Sequence, residues 1–154
     1  MRKRTRTHPV LGRLHWDERV PSWEAEAELA PGRPGCFAIV AEAEWADTNP
    51  AELFEIGAEY LAWAKEAEPR IRERVADDLL DVYNQSWADQ DPEEGTPPMD
   101  RREFLTNIWL SGITLYPDGS ACWDYSCGDL FAGHGIWLRL GPEREFKGKA
   151  SLIG

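Results

Sequence analysis

Apolar and charged residues alternate over Trp23, Ala25, Ala27 and Leu29, with Glu24, Glu26 and Glu28 in the intervening positions. A period of two sends successive side chains to opposite faces of a strand, so the first set meets a core and the glutamates meet solvent. Phe37, Ile39 and Ala41 repeat the pattern ahead of Glu42 and Glu44, and Pro31-Gly32-Arg33-Pro34-Gly35 separates the two strands. Leu14 to Trp16 reads as an earlier strand, giving an N-terminal meander from Leu11 to about Glu44. Towards the other end, Ile108 to Tyr116, Ala121 to Cys127 and Gly135 to Leu140 read as three more strands. Asp118-Gly119 supplies the positive φ of a tight hairpin, and Gly-Asp-Leu-Phe-Ala-Gly-His-Gly over Gly128 to Gly135 turns the chain again.

Between these zones the period changes to that of a helix. Asn49 is placed to cap, Pro50 suits the first helical position, and Glu52 completes a start resembling a capping box. Leu53, Ile56, Gly57, Tyr60, Leu61 and Ala64 then form one stripe. Pro69 restarts a second helix with the stripe Ile71, Val75, Leu79, Val82, Tyr83 and Trp87. The two form an antiparallel pair or one kinked rod. Asp100 and Glu103 mark a short helix from Asp100 to Thr106. The expected fold is α+β, with N- and C-terminal antiparallel meanders packed against a central pair of α-helices. Whether the meanders share one sheet is left open by the pattern.

The chain's 154 residues suit a single domain over residues 8–154, preceded by a flexible basic tail over residues 1–7. A chain of this size buries roughly 70% of its unfolded surface, so a core needs no disulfide or metal. With eight Trp, four Tyr and five Phe, it is too aromatic for disorder. Three cysteines, an odd count, argue for a reducing, cytoplasmic setting, and no apolar run reaches membrane-spanning length. The net charge is −11 although the first seven residues hold four of the 17 basic side chains. An acidic body repels nucleic acid, except through the tail, and steers towards a basic partner. A monomer or weak dimer that binds such a protein is the expectation, with no membrane association.

Candidate chemistry is thin. Cys122 and Cys127, five apart on one strand, point to opposite faces and read as buried thiols, as does Cys36. No metal and no cofactor is expected. Asp124, Asp129 and His134 are close in sequence, with Ser120 and Ser126 as hydroxyls, so a small hydrolase or ligand-binding enzyme using His134 with Asp129 or Asp124 is the alternative function. No Gly-x-Ser-x-Gly elbow, Gly-x-Gly-x-x-Gly or P-loop accompanies them. The preferred binding set is acidic and aromatic. Glu24, Glu26, Glu28 and the loop from Asp89 to Glu94 would steer, Trp123, Tyr125 or Trp137 would anchor, and Asp124, Asp129 and His134 are further candidates.

His-Pro-x-Leu-Gly-x-Leu over His8 to Leu14, the helical middle, Tyr116-Pro117-Asp118-Gly119, and Gly-Asp-Leu-Phe-Ala-Gly-His-Gly-Ile over Gly128 to Ile136 carry a resemblance. The chain resembles an uncharacterised bacterial family of unknown function, of the DUF2262 type. That resemblance implies no established activity. It is consistent with an acidic inhibitor or immunity-type protein acting on a toxin-like basic partner.

Overall fold

A computed structural model describes residues 4–42, 48–89 and 96–154 of the chain. Its strands are β1 (Thr5–His8), β2 (Gly12–Asp17), β3 (Ser22–Ala30), β4 (Arg33–Val40), β5 (Trp109–Leu115), β6 (Ala121–Ser126), β7 (Gly135–Leu140) and β8 (Ser151–Ile153). They lie side by side in chain order within one eight-stranded sheet. Neighbours are antiparallel except β4 and β5, which are parallel, with Cys36 opposite Gly112 and Ile39 opposite Leu115. Parallel neighbours need a crossover, and the helical middle of the chain supplies it. The two meanders are therefore halves of one mixed sheet.

The expected central pair of helices packed against two meanders does not form. One long helix, α1 (Pro50–Val82), runs through Pro69 and ends in a π-turn over Tyr83–Trp87, and the short α2 (Arg101–Thr106) follows. A proline inside a helix removes one hydrogen bond, here to the Lys65 carbonyl, and crowds that turn. Both Lys65 and Pro69 are exposed, so water reaches the released carbonyl. On the opposite side Leu61, Ala64, Ala67, Ile71, Val75 and Leu79 continue one buried stripe past the proline. Burial of that unbroken stripe holds the helix together. The caps are as the sequence predicts: the Asn49 side chain accepts from the Ala51 amide at 3.0 Å, and Asp100 accepts from Glu103 at 2.8 Å.

Two strands lie outside the expected set. Thr5–His8, mostly within the stretch expected to be a tail, forms the edge strand β1. His8 anchors it: Nδ1 accepts from the amides of Val10 and Leu11, and Nε2 meets Glu55 of α1 at 2.7 Å. The short β8 closes the other edge against β7.

Both helices cover one face of the sheet. Leu14, Trp23, Ala25, Phe37, Ile39, Ile113, Leu115, Trp123, Tyr125, Ile136 and Leu138 meet α1 and α2 there in a single core. Within it Trp123 donates from Nε1 to the Tyr60 hydroxyl at 3.0 Å, which satisfies both polar groups. A register shift between Leu110 and Gly112 allows Leu110 and Ile113, three apart, to share the core face.

Candidate functional site

The face of the sheet turned away from the helices carries the chemistry-bearing residues. Parity places Glu24, Glu26 and Glu28 of β3 on it, opposite Ala38, Cys36 and Pro34 of β4. The same row continues across the sheet through Gly112 of β5 and Asp124 of β6 to Trp137 of β7. On β2, His15 lies opposite Glu24. An open groove of about 400 Å³ runs over this part of the face and is lined by His15, Glu24, Glu26, Pro34, Gly35 and Cys36.

Five carboxylates of α1 are paired with arginine. Arg72 pairs with Glu68, Arg74 with Asp78, Arg101 with Glu73 and Asp77, and Arg144 with Glu59, at 2.6–3.2 Å. Glu24, Glu26 and Asp124 have no ion pair and no side-chain hydrogen bond among the described residues. Glu28 accepts from the Gly32 amide at 3.0 Å and so braces its own turn. Burial raises the pKa of Asp124, which lies against Gly112: a Cβ there would sit 3.3 Å from Asp124 Oδ2. The absent side chain is what makes room for the carboxylate.

Cys36, expected in the core, is exposed. It shares parity with Glu26 and not with Phe37, so the alternation that assigns Phe37 to the core already assigns Cys36 to the other face. Its pKa is raised by partial burial of the thiol among its neighbours, and further by the charges of Glu24 and Asp124. Such a setting disfavours thiolate, the opposite of what a nucleophile requires. Cys122 and Cys127 are buried on opposite faces, as their spacing predicts, and Cys127 alone joins the main core. Cys127 donates from Sγ to the His134 carbonyl at 3.1 Å.

The other predicted residues are dispersed. Trp123 and Tyr125 are 0% and 1% exposed beneath the helices, so a partner meeting the folded surface touches neither. Trp137 is half-buried on the uncovered face, with the Arg139 guanidinium 5.4 Å from its ring centroid. Asp129 and His134 belong to the turn after β6, where successive backbone bonds join Leu130 to Cys127, Ala132 to Asp129 and His134 to Phe131. This turn drives Phe131 into an aromatic cluster with Tyr83, Trp87 and Phe104. The His134 ring packs edge-on to Trp87 at 5.7 Å, and no hydrogen bond joins it to Asp124 or Asp129 among the described residues. Of the loop from Asp89 to Glu94, residues 90–94 lie outside the described residues, as does Glu44.

Sequence reasoning missed His15 and Cys36 as groove residues, and Arg33 is stacked 3.9 Å from the Trp109 ring centroid. Alternation along β4 already turns Cys36 outward, whereas the pairing of His15 with Glu24 and of Glu26 with Cys36 comes from register, which is not written in any one strand. No group of three or more His, Cys, Asp or Glu among the described residues is placed to hold a metal ion. No helix among them is long and apolar enough to cross a membrane.

Fold and site together define a protein of one eight-stranded mixed sheet with helices on one face and no helix, among the described residues, on the other, where Ser22, Ala38, Val40 and Cys122 are nonetheless buried. The chain belongs to the DUF2262 family, uncharacterised proteins conserved in bacteria, whose model matches residues 8–150. No curated protein and no solved structure matches it.

Proposed function

We propose that this is a non-enzymatic binding protein, immunity-type or regulatory, whose uncovered sheet face receives a basic segment of a partner protein. One observation carries the reading: Glu24 and Glu26 line an open groove and have no cationic partner among the described residues, whereas Glu59, Glu68, Glu73, Asp77 and Asp78 of α1 are each paired with arginine. Like charges side by side on a strand face are mutually unfavourable, and an incoming lysine or arginine relieves that repulsion. Trp137 at the far end of the same row offers a partly exposed ring for the partner's apolar or cationic side chains. Net charge of −11 adds long-range steering towards a basic surface.

The test is a pull-down from native lysate at low and high salt with the parent chain and a Glu24→Lys/Glu26→Lys double variant. The reading requires one stoichiometric basic protein, held at low salt, released at high salt, and lost by the double variant. Both substituted residues reach solvent and their side chains make no hydrogen bond or ion pair among the described residues, so the variant keeps its fold, which circular dichroism checks. A partner retained by the double variant, or none at either salt, rejects this face as the binding site.

A further inference from the structure

The helical side has its own groove, distinct from the acidic one. It encloses about 460 Å³ between the middle of α1 and α2, where Pro69 and Leu105 present apolar surface and Arg72, Arg101 and Arg102 bring three guanidiniums to its walls. Its acid, Glu73, is already engaged: Arg101 donates from Nε to Glu73 at 2.7 Å and from Nη2 to Asp77 at 2.7 Å. These bonds fix the Arg101 plane and leave Nη1 without an acceptor among the described residues. Arg72 is held more loosely, at 3.2 Å to Glu68 and 3.4 Å to the Leu105 carbonyl. The Arg102 guanidinium has no hydrogen bond or ion pair among the described residues, and the Arg102 carbonyl accepts from the Thr106 hydroxyl at 3.2 Å.

We infer that this groove binds a small organic acid, an oxyanion of carboxylate or phosphate type carried on an apolar body. The planar guanidinium matches two oxygens of either group and is the side chain best suited to hold them. A cavity of this size suits a small molecule, with apolar walls contacting the body of the ligand and a few polar groups fixing its orientation. The acidic body does not forbid an anion here, because charges beyond about 10 Å are screened at 0.1 M salt, the nearby Glu68, Glu73 and Asp77 are paired with Arg72 and Arg101, and the Arg102 guanidinium supplies an uncompensated positive charge at contact distance. Nothing in this inference depends on the basic partner proposed above.

Titration of the full chain with phenylacetate, phenyl phosphate and inorganic phosphate, followed by backbone amide NMR shifts, tests it. At least one aromatic oxyanion should give saturable shifts centred on Arg70–Glu73 and Arg101–Thr106, and the tighter of the two identifies the headgroup. Arg102→Glu, at an exposed residue whose side chain makes no hydrogen bond or ion pair among the described residues, should weaken that binding at least tenfold, whereas Arg13→Gln, at an exposed arginine of β2, should leave it unchanged. The inference is overturned by any of three results: no saturable shift with either aromatic compound, an unchanged affinity in Arg102→Glu, or inorganic phosphate binding as tightly as phenyl phosphate. The last would mean that the apolar walls contribute nothing.

Discussion

A methyl group on Gly57 would press into the Ile39 side chain and sit 3.2 Å from Phe37 Cε1. This glycine is what lets α1 settle directly onto β4. Gly57→Ala gains about 1 kcal/mol of helix propensity and loses typically 1–3 kcal/mol to overpacking. The variant should be destabilised in urea titration, and Ile39→Val, which removes the opposing methyl, should recover part of the loss. A stabilised Gly57→Ala would show that the helix can lift from the sheet at no cost. At Asp124 the determinant is charge. Its folded-state pKa is raised by burial, so its contribution to stability is present in full below its unfolded value, near 3.8, and is lost as pH rises through the folded pKa. Asp124→Asn should therefore raise the melting temperature at pH 7, with the gain fading as the pH approaches 3.8. A gain that persists there would assign the effect to packing instead of ionisation.

At the scale of elements, Pro69 separates a helix pair from a single helix. Because α1 continues through it with Lys65 and Pro69 exposed, Pro69→Ala restores a backbone bond without disturbing the buried stripe. The variant should be more stable by about 1–3 kcal/mol, read as a higher urea midpoint at unchanged m-value. A loss of stability would place a break at Pro69. Sequence periodicity revealed the strands because alternation is local: Trp23 to Leu29 and Ile136 to Leu140 declare their inner faces without reference to any neighbour. It revealed the helix start for the same reason, since Asn49, Pro50 and Glu52 act within one turn. It did not reveal continuity through Pro69, which depends on sheet packing, or the parallel pairing of Cys36 with Gly112, which depends on where a long helix returns the chain. The acidic strip and the outward face of Cys36 were legible from parity, whereas the placement of His15 and Cys36 beside Glu24 and Glu26 required the register. The Gly128–Gly135 run was legible as a turn, and its Phe131 tip explains the motif structurally. Phe131→Ala should cost about 3–5 kcal/mol in equilibrium unfolding, as expected for a fully buried ring, whereas an effect below 1 kcal/mol would remove the aromatic cluster from the core.

Across the whole molecule, the pair of strands at the centre of the sheet is also the pair most distant in sequence. β4 and β5 are bridged by α1, and their parallel pairing and the shared helical layer join the two meanders. Neither half encloses a core alone: Trp23 and Phe37 from the first half and Trp123 and Tyr125 from the second belong to one cluster under the same helices. Loss of the central pairing would expose both halves at once, so unfolding should be all-or-none. Far-UV circular dichroism and tryptophan fluorescence, which samples Trp23 in one half and Trp123 in the other, should give superimposable urea transitions. Folding should be slow for the chain's size, in milliseconds to seconds, because the ordering of α1 and closure of the long crossover must precede the contacts that reward them. Transitions that separate by probe, with the N-terminal meander unfolding first, would show that the two halves are independent units joined at a weak seam.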